Sequence, residues 1–212
     1  MTAQLLVLAK APVPGRVKTR LCPPCSPAEA AGLAEAALAD TVAAVRATPG
    51  VGRRVLVLDG RWEVPAGLTV LPQRGTGLAE RIGHAFVDAG AGPALLVGMD
   101  TPQAGPGLLT ACLSTLDGSV DAVLGPAEDG GWWALGLHDP GHARLLAGVP
   151  MSTPDTGRHT LAALRDAGLR VGLLPRLRDV DDWDDAVAVA GLAPSGRFAA
   201  AVAALAAADV PA

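Results

Sequence analysis

The sequence predicts an α/β fold: a three-layer α/β/α sandwich around a mostly parallel, mixed sheet. Three observations carry that expectation. Short apolar runs of four to six residues recur along the chain and alternate with longer Ala-rich or amphipathic segments of helical period. Several of these runs end in turns of Gly, Pro and Asp, where open α/β sheets present their ligand-binding groups. Hydrophobic residues make up 50% of the 212 residues, enough for a substantial core in one domain spanning 1–212.

Leu5 to Ala9 is the first strand, too short for a helix. Ser26-Pro27-Ala28-Glu29 is a capping box with proline at the first helical position, and the Ala-rich run to about Ala47 forms a long helix, closed by Thr48-Pro49-Gly50. Arg54–Leu58 and Leu68–Leu71 are the second and third strands. The turn Gln73-Arg74-Gly75-Thr76-Gly77 leads into an amphipathic helix from Leu78 to about Val87. Ala94–Gly98 is the fourth strand and is followed at once by Met99-Asp100-Thr101-Pro102. A helix to Leu116 ends at Asp117-Gly118. Ala122–Gly125 is the fifth strand, and Trp132–Leu137 is expected to run antiparallel to its neighbours. His138–Pro150 holds a short helix, Met151–Asp155 opens another to about Ala167, and Leu169–Leu174 is the last strand. Asp179–Asp185 leads into an apolar helix from about Ala186, and an Ala-rich peripheral helix closes the chain (196–209).

Composition excludes several functions. Aromatic residues are 3% of the chain, so the core is built from Ala, Leu and Val, and each of the four Trp is worth inspecting. The net charge of −4 argues against a nucleic-acid-binding surface. No apolar run approaches the roughly 18 residues of a membrane span, and the start lacks the basic region of a signal peptide. The expectation is a cytoplasmic protein. Cys22 and Cys25 form a CxxC, but Cys112 stands apart and no second pair completes a zinc site. The four histidines share no ligand spacing. Gly-x-Ser-x-Gly, Walker A and full GxGxxG motifs are all missing, which removes the common hydrolase, P-loop and dinucleotide readings.

Four turns carry the candidate chemistry. Lys10, Arg16, Lys18 and Arg20 place four cations in eleven residues of a Pro/Gly loop leaving the first strand, an arrangement suited to a polyanion such as a nucleotide phosphate. The glycines around Gln73 let a planar ligand lie close, and the Gln73 amide offers both a donor and an acceptor. Asp100, held in a rigid turn, suits Mg²⁺ or Mn²⁺. Glu128-Asp129-Gly130-Gly131 before Trp132 and Trp133 joins acids, close-approach glycines and indoles able to stack on a ligand. Asp182, Asp184 and Asp185 complement the dipole of the following helix, while Asp179 and Asp181 precede it and are free to face a site.

In order and spacing, AKAPVPGRVKTRL, GLAERIGHAF, GMDTP, GPAEDGGWWALGL and DVDDWDD resemble a family of small bacterial transferases of GT-A-like, Rossmann-like fold, linked to arsenosugar- or selenium-associated gene clusters. The resemblance covers about residues 4 to 190. More distantly, the Lys-Thr-Arg-Leu and Gly-Pro-x-x-Asp-Gly-Gly elements are similar to those of 2-phospholactate guanylyltransferase. The Gln73–Gly77 turn resembles the base-binding turn of sugar-phosphate uridylyltransferases. By that resemblance Lys10, Arg16, Lys18 and Arg20, with Ala9 and Gly15 in the same stretch, would hold phosphates. Gln73, Gly75 and Gly77 would meet the base. Asp100 and Asp181 would hold Mg²⁺ or Mn²⁺, and Glu128, Asp129, Gly130 and Trp133 would face the acceptor. Three positions depart from the family, which usually carries Tyr where Trp132 and Trp133 stand and Trp where Met151 stands.

The resemblance implies two chemistries. In nucleotidyl transfer, the favoured one, an acceptor phosphate or phosphonate attacks the α-phosphorus of an NTP while Lys18 and Arg20 stabilise the departing pyrophosphate. In glycosyl transfer the donor is a nucleotide sugar and Asp129 or Glu128 acts as base. A third reading is a nucleotide-binding protein without turnover. The expected partners are a nucleotide and a small acceptor, with no nucleic acid and no membrane, in a monomer or homodimer.

Overall fold

The computed structural model describes residues 2–116 and 118–208. Its strands are β1 (Gln4–Lys10), β2 (Arg53–Asp59), β3 (Thr69–Pro72), β4 (Ala94–Gly98), β5 (Ala122–Pro126), β6 (Trp132–Leu137) and β7 (Val171–Leu173). The helices are α1 (Pro27–Ala47), α2 (Leu78–Ala89), α3 (Pro106–Thr115), α4 (Thr156–Asp166), α5 (Trp183–Leu192) and α6 (Arg197–Ala208), with 3₁₀ turns at Thr19–Leu21 and Pro140–Gly148. The expected turn after α3 begins at Asp117, which lies outside the described residues.

All seven strands join one sheet in the order β3-β2-β1-β4-β6-β5-β7. β6 is antiparallel to β4 and β5, and the remaining pairings are parallel. Successive side chains of a strand face opposite ways. Leu5, Val7 and Ala9 of β1 therefore join one core layer with α1 and α3, and Leu6 joins the other with α2 and α4. Both faces of this central strand are covered, which is why its sequence is apolar without alternation. Leu5, Leu6 and Val7 are fully buried, and each such burial contributes about 1.5–3 kcal/mol.

The helix boundaries follow from local chemistry. Ser26 and Glu29 form the expected capping box, with Ser26 Oγ accepting from Glu29 N at 3.3 Å and Ser26 N donating to Glu29 Oε2 at 2.7 Å. α5 starts three residues before the expected Ala186, because Asp182 is its N-cap and Asp185 closes a second capping box. α6 is peripheral and firmly docked: Phe198 and Val202 pack with α1 and α5 in a third apolar cluster. Asp40 of α1 accepts from Arg197 N and Phe198 N at the start of α6. Among the described residues no helix is long and apolar enough to cross a membrane.

The chain leaves β1 toward β2 on one side, and β4 pairs with β1 on the other. The loops after β1 and β4 therefore diverge, opening a crevice at the carboxyl ends of these two strands, the place where open α/β sheets bind ligands.

Candidate nucleotide and metal site

A cleft of about 870 Å³ occupies that crevice. From the loop after β1 it is lined by Lys10, Arg16, Lys18 and Arg20, and Ala9 lies in its floor. Gly15 turns this loop with a φ of +73° and does not itself line the cleft. Lys18 has a φ of +48°, an uncommon conformation for a non-glycine residue. That backbone turn aims its side chain inward, where it is nearly buried. The Lys18 ammonium stands 2.9 Å from Asp100 Oδ1 and 3.7 Å from Asp181 Oδ1, and it also donates to the Val180 carbonyl. Arg20 Nη1 lies 2.8 Å from the other oxygen of Asp181. Lys10 and Arg16 form no ion pair among the described residues, so two cationic side chains of the loop stay available to a ligand.

The acidic side is built by three turns. Asp100 follows β4, and its carbonyl accepts from Val180 N at 2.9 Å, tying the Asp100 turn to the segment that carries Asp179 and Asp181. The backbone N–H of Asp181 donates to Asp185 Oδ2, so the α5 cap also sets where Asp181 points. Asp129 sits in a tight turn, its Oδ1 accepting from Gly131 N at 2.7 Å. One carboxylate oxygen each from Asp129, Asp179 and Asp181 lies within 4.8 Å of the others. Burial, and then the Asp129 charge, push the Asp179 carboxyl up to about 6. Three converging carboxylates are hard oxygen donors and fit Mg²⁺ or Mn²⁺. Asp181 belongs both to this triad and to the Lys18 contact, whereas Asp100 meets only the lysine among these groups.

Gln73, Thr76 and Arg81 line the wall of the cleft beside β3 and α2, with Gly75 and Gly77 in the same turn. Gln73 does not offer its whole amide to a ligand: Nε2 donates to the carbonyls of Ala9 (2.8 Å) and Val57 (3.1 Å). Its Oε1 accepts from Arg81 Nη1 at 3.4 Å. The residue closes the ends of β1 and β2, and Arg81 is itself pinned by Asp59 at 2.9 Å. Sequence reading missed Arg81; its position one turn into an amphipathic helix beside Gln73 was the signal for it.

On the side expected from sequence to face an acceptor, Asp129 and Gly131 line the cleft with Trp132, Met151 and Thr153. Trp133 does not. Adjacent residues of a strand face opposite ways, and Trp133 is the inward one, 3% exposed, with Nε1 donating to the Pro175 carbonyl. Trp132 is the cleft indole, held by Thr160 Oγ1 at 3.2 Å. Glu128 points away to Arg178 at 2.7 Å. Gly130 serves backbone packing: with φ at +90°, a Cβ there would lie 1.9 Å from the Pro154 carbonyl oxygen. Gly157, also missed from sequence, completes this contact by donating to the Gly130 carbonyl at 2.8 Å.

A family described as an uncharacterized protein conserved in bacteria (DUF2064) matches residues 33–153, more than half of the chain. The chain belongs to that family. The matched part of this DUF2064 protein holds Gln73, Arg81, Asp100 and Asp129, while the cationic loop and the Asp179–Asp181 turn lie on either side of it. No curated protein matches the sequence. Among solved structures, a provisionally assigned nucleotide-diphospho-sugar transferase of Desulfovibrio desulfuricans superimposes with a TM-score of 0.84 at 26% identity, covering 98% of this chain and 95% of that one. A CMP:2-keto-3-deoxy-manno-octonic acid synthetase solved with CTP follows at 0.55 and 12% identity, covering 92% and 99%. Rv0371c of Mycobacterium tuberculosis, solved with manganese, aligns at 0.52 and 18%, covering 87% and 96%. The DUF2064 chain has the nucleotide-diphospho-sugar transferase fold expected from its motifs.

Proposed function

We propose that the protein is a metal-dependent, nucleotide-using transferase that moves a nucleotidyl group from an NTP to a small molecule bearing a phosphate or phosphonate. The observation that carries this reading is the meeting of Lys18 and Arg20 with Asp100 and Asp181 in one cleft. A cationic loop and an acidic cluster brought together in one cleft are what a magnesium or manganese polyphosphate needs. The solved relatives of the same fold, one with CTP and one with manganese, are consistent with it.

In this reading an acceptor oxygen forms a bond to the α-phosphorus, the bond from that phosphorus to its β-bridging oxygen breaks, and pyrophosphate leaves with the electron pair. Lys18 and Arg20 neutralise the departing charge, and Lys10 and Arg16 hold the outer phosphates. Arg81 and Thr76 orient the base. A divalent cation held by Asp181, with Asp100 or with Asp129 and Asp179, would supply Lewis-acid stabilisation at the α-phosphate. Such a reaction relies on positioning and charge neutralisation and needs no covalent nucleophile.

Glycosyl transfer from a nucleotide sugar is the second reading, favoured by the Desulfovibrio relative's assignment. There Asp129, exposed in the cleft while Glu128 is paired with Arg178, would be the base on the acceptor. Incubation with each NTP, Mg²⁺ and a panel of phosphorylated acceptors should release pyrophosphate. Release of UDP or GDP from a nucleotide sugar, with no pyrophosphate from any NTP, would replace the first reading with the second. Nucleotide binding without either product would leave a non-catalytic protein.

A further inference from the structure

The acidic cluster already contains a cation of its own. Lys18 Nζ touches Asp100 Oδ1 at 2.9 Å, stands 3.7 Å from Asp181 Oδ1 and donates to the Val180 carbonyl, so one ammonium binds three oxygens from two separate turns. Its side chain is 12% exposed, far less than the 76% of Arg20, which grips Asp181 from outside. The Lys18 backbone takes up a left-handed conformation to deliver this contact. The remaining oxygen ligands converge on the same residue, because Asp181 is also the corner of the Asp129–Asp179–Asp181 triad. An ammonium beside a carboxylate repels a divalent ion brought to that same carboxylate, the more so in a partly buried site.

We propose that Lys18 is the resident counter-cation of the ligand-free site, and that a divalent ion joins the Asp181 carboxylate only once a nucleotide polyphosphate has drawn the ammonium away. Metal and nucleotide then bind as one unit, and free metal binds poorly. The polyphosphate has what the exchange requires: anionic oxygens that take over the lysine's three donors, with Lys10 and Arg16 unpaired beside them to receive the rest of the charge. The same lysine thus serves the acids before binding and the phosphates after it. This inference rests on the metal-dependent nucleotide reading above.

Binding of Mn²⁺, measured as loss of the free-ion electron paramagnetic resonance signal, tests it without turnover. The wild-type protein and Lys18→Met, which keeps the stem and removes the charge, are titrated with and without a non-hydrolysable α,β-methylene triphosphate. Without nucleotide, Lys18→Met should bind Mn²⁺ at least tenfold more tightly than wild type. The strengthening of Mn²⁺ binding by nucleotide, large in wild type, should shrink in the variant. Lys18→Gln provides a second neutral side chain should the methionine variant fail to fold. Arg16→Met, which removes a cleft cation that contacts neither acid, should change nucleotide-free Mn²⁺ affinity less than threefold. Equal nucleotide-free affinities of wild type and the Lys18 variants would overturn the proposal while leaving metal binding intact. A gain from Arg16→Met as large as that from Lys18→Met would overturn it too, by reducing the effect to overall charge. Absence of Mn²⁺ binding to any of these proteins, with or without nucleotide, would sink the metal-dependent reading and this inference together.

Discussion

Asp179 shows how a single buried carboxyl in the candidate site makes stability depend on pH. Its ordinary value of 3.8 is raised to about 6 in the fold by burial and by the Asp129 and Asp181 charges. The folded protein therefore holds this proton more tightly than the unfolded chain does, and the stability so gained is present at low pH and lost as pH rises through 6. In metal-free buffer Asp179→Asn should melt higher than wild type at pH 7.5, and the difference should narrow on acidification and close near pH 4. A difference that stays constant with pH would show that the carboxyl is not held neutral. At this scale the sequence was informative about which charged residues are brought together. Lys18, Asp100 and Asp181 each follow an apolar strand or precede a capped helix, and they meet. It was silent where orientation decides: one residue of the Trp132–Trp133 pair must face the core, and nothing in the dipeptide says which. Nor does the sequence disclose that the Gln73 amide, at the end of two strands, also serves the carbonyls of Ala9 and Val57.

Among the elements, the contact between the Asp129 turn and α4 is the least tolerant. A Cβ at Gly157 would lie 2.5 Å from the Gly131 carbonyl oxygen and 3.0 Å from that of Gly130, both backbone atoms that move only with the turn. Gly157→Ala should cost about 1–3 kcal/mol in urea unfolding and should also weaken Mn²⁺ binding by displacing Asp129. Gly191→Ala, inside α5 with nothing within 4 Å of the added Cβ, is the contrasting change. It should be neutral or stabilise by about 0.4–1 kcal/mol. Equal losses at both sites would remove Gly157 from the positioning of Asp129. A second element-level test concerns α6. Asp40 caps it through two N–H groups from another helix, and Asp40→Ala should cost about 1 kcal/mol. Hydrogen exchange should quicken in the first turn of α6 and stay unchanged in β1. The docking of α6 was not legible in its Ala-rich sequence, since its cap lies about 157 positions away in the chain. The capping boxes of α1 and α5 are local, so the first was read to the residue, and the second was displaced only because Asp182 stands outside the helix rather than in its first turn.

For the whole molecule, charge distribution matters more than net charge. The chain carries −4 overall, yet its cleft gathers cations from one loop and carboxylates from three turns. Apolar runs alternating with helical segments disclose an α/β sandwich, but strand order depends on which runs lie side by side, and no periodicity along the chain specifies it. β4 and β5 are both antiparallel to β6 and so run the same way, which puts the Asp129 turn after β5 at the same end of the sheet as Lys10 and Asp100. A ligand bridging these turns couples the loop before α1, the β4 turn and the segment before α5, so its binding should stabilise the entire fold. At a nucleotide concentration 100 times its dissociation constant the gain is about 2.7 kcal/mol, which for a chain of this size corresponds to a rise in Tm of about 5–10 °C. That rise should need Mg²⁺ or Mn²⁺ together with the triphosphate, and it should decline as NaCl is raised from 50 to 500 mM, because Lys10 and Arg16 are exposed and screened. Asp181→Ala, which removes the carboxylate common to the triad and the Lys18 contact, should remove the metal-dependent part and leave a smaller shift set by the cationic loop alone. A shift that is indifferent to metal in both proteins would separate the phosphate half of the cleft from its acidic half, and would leave the carboxylates as partners of Lys18 only.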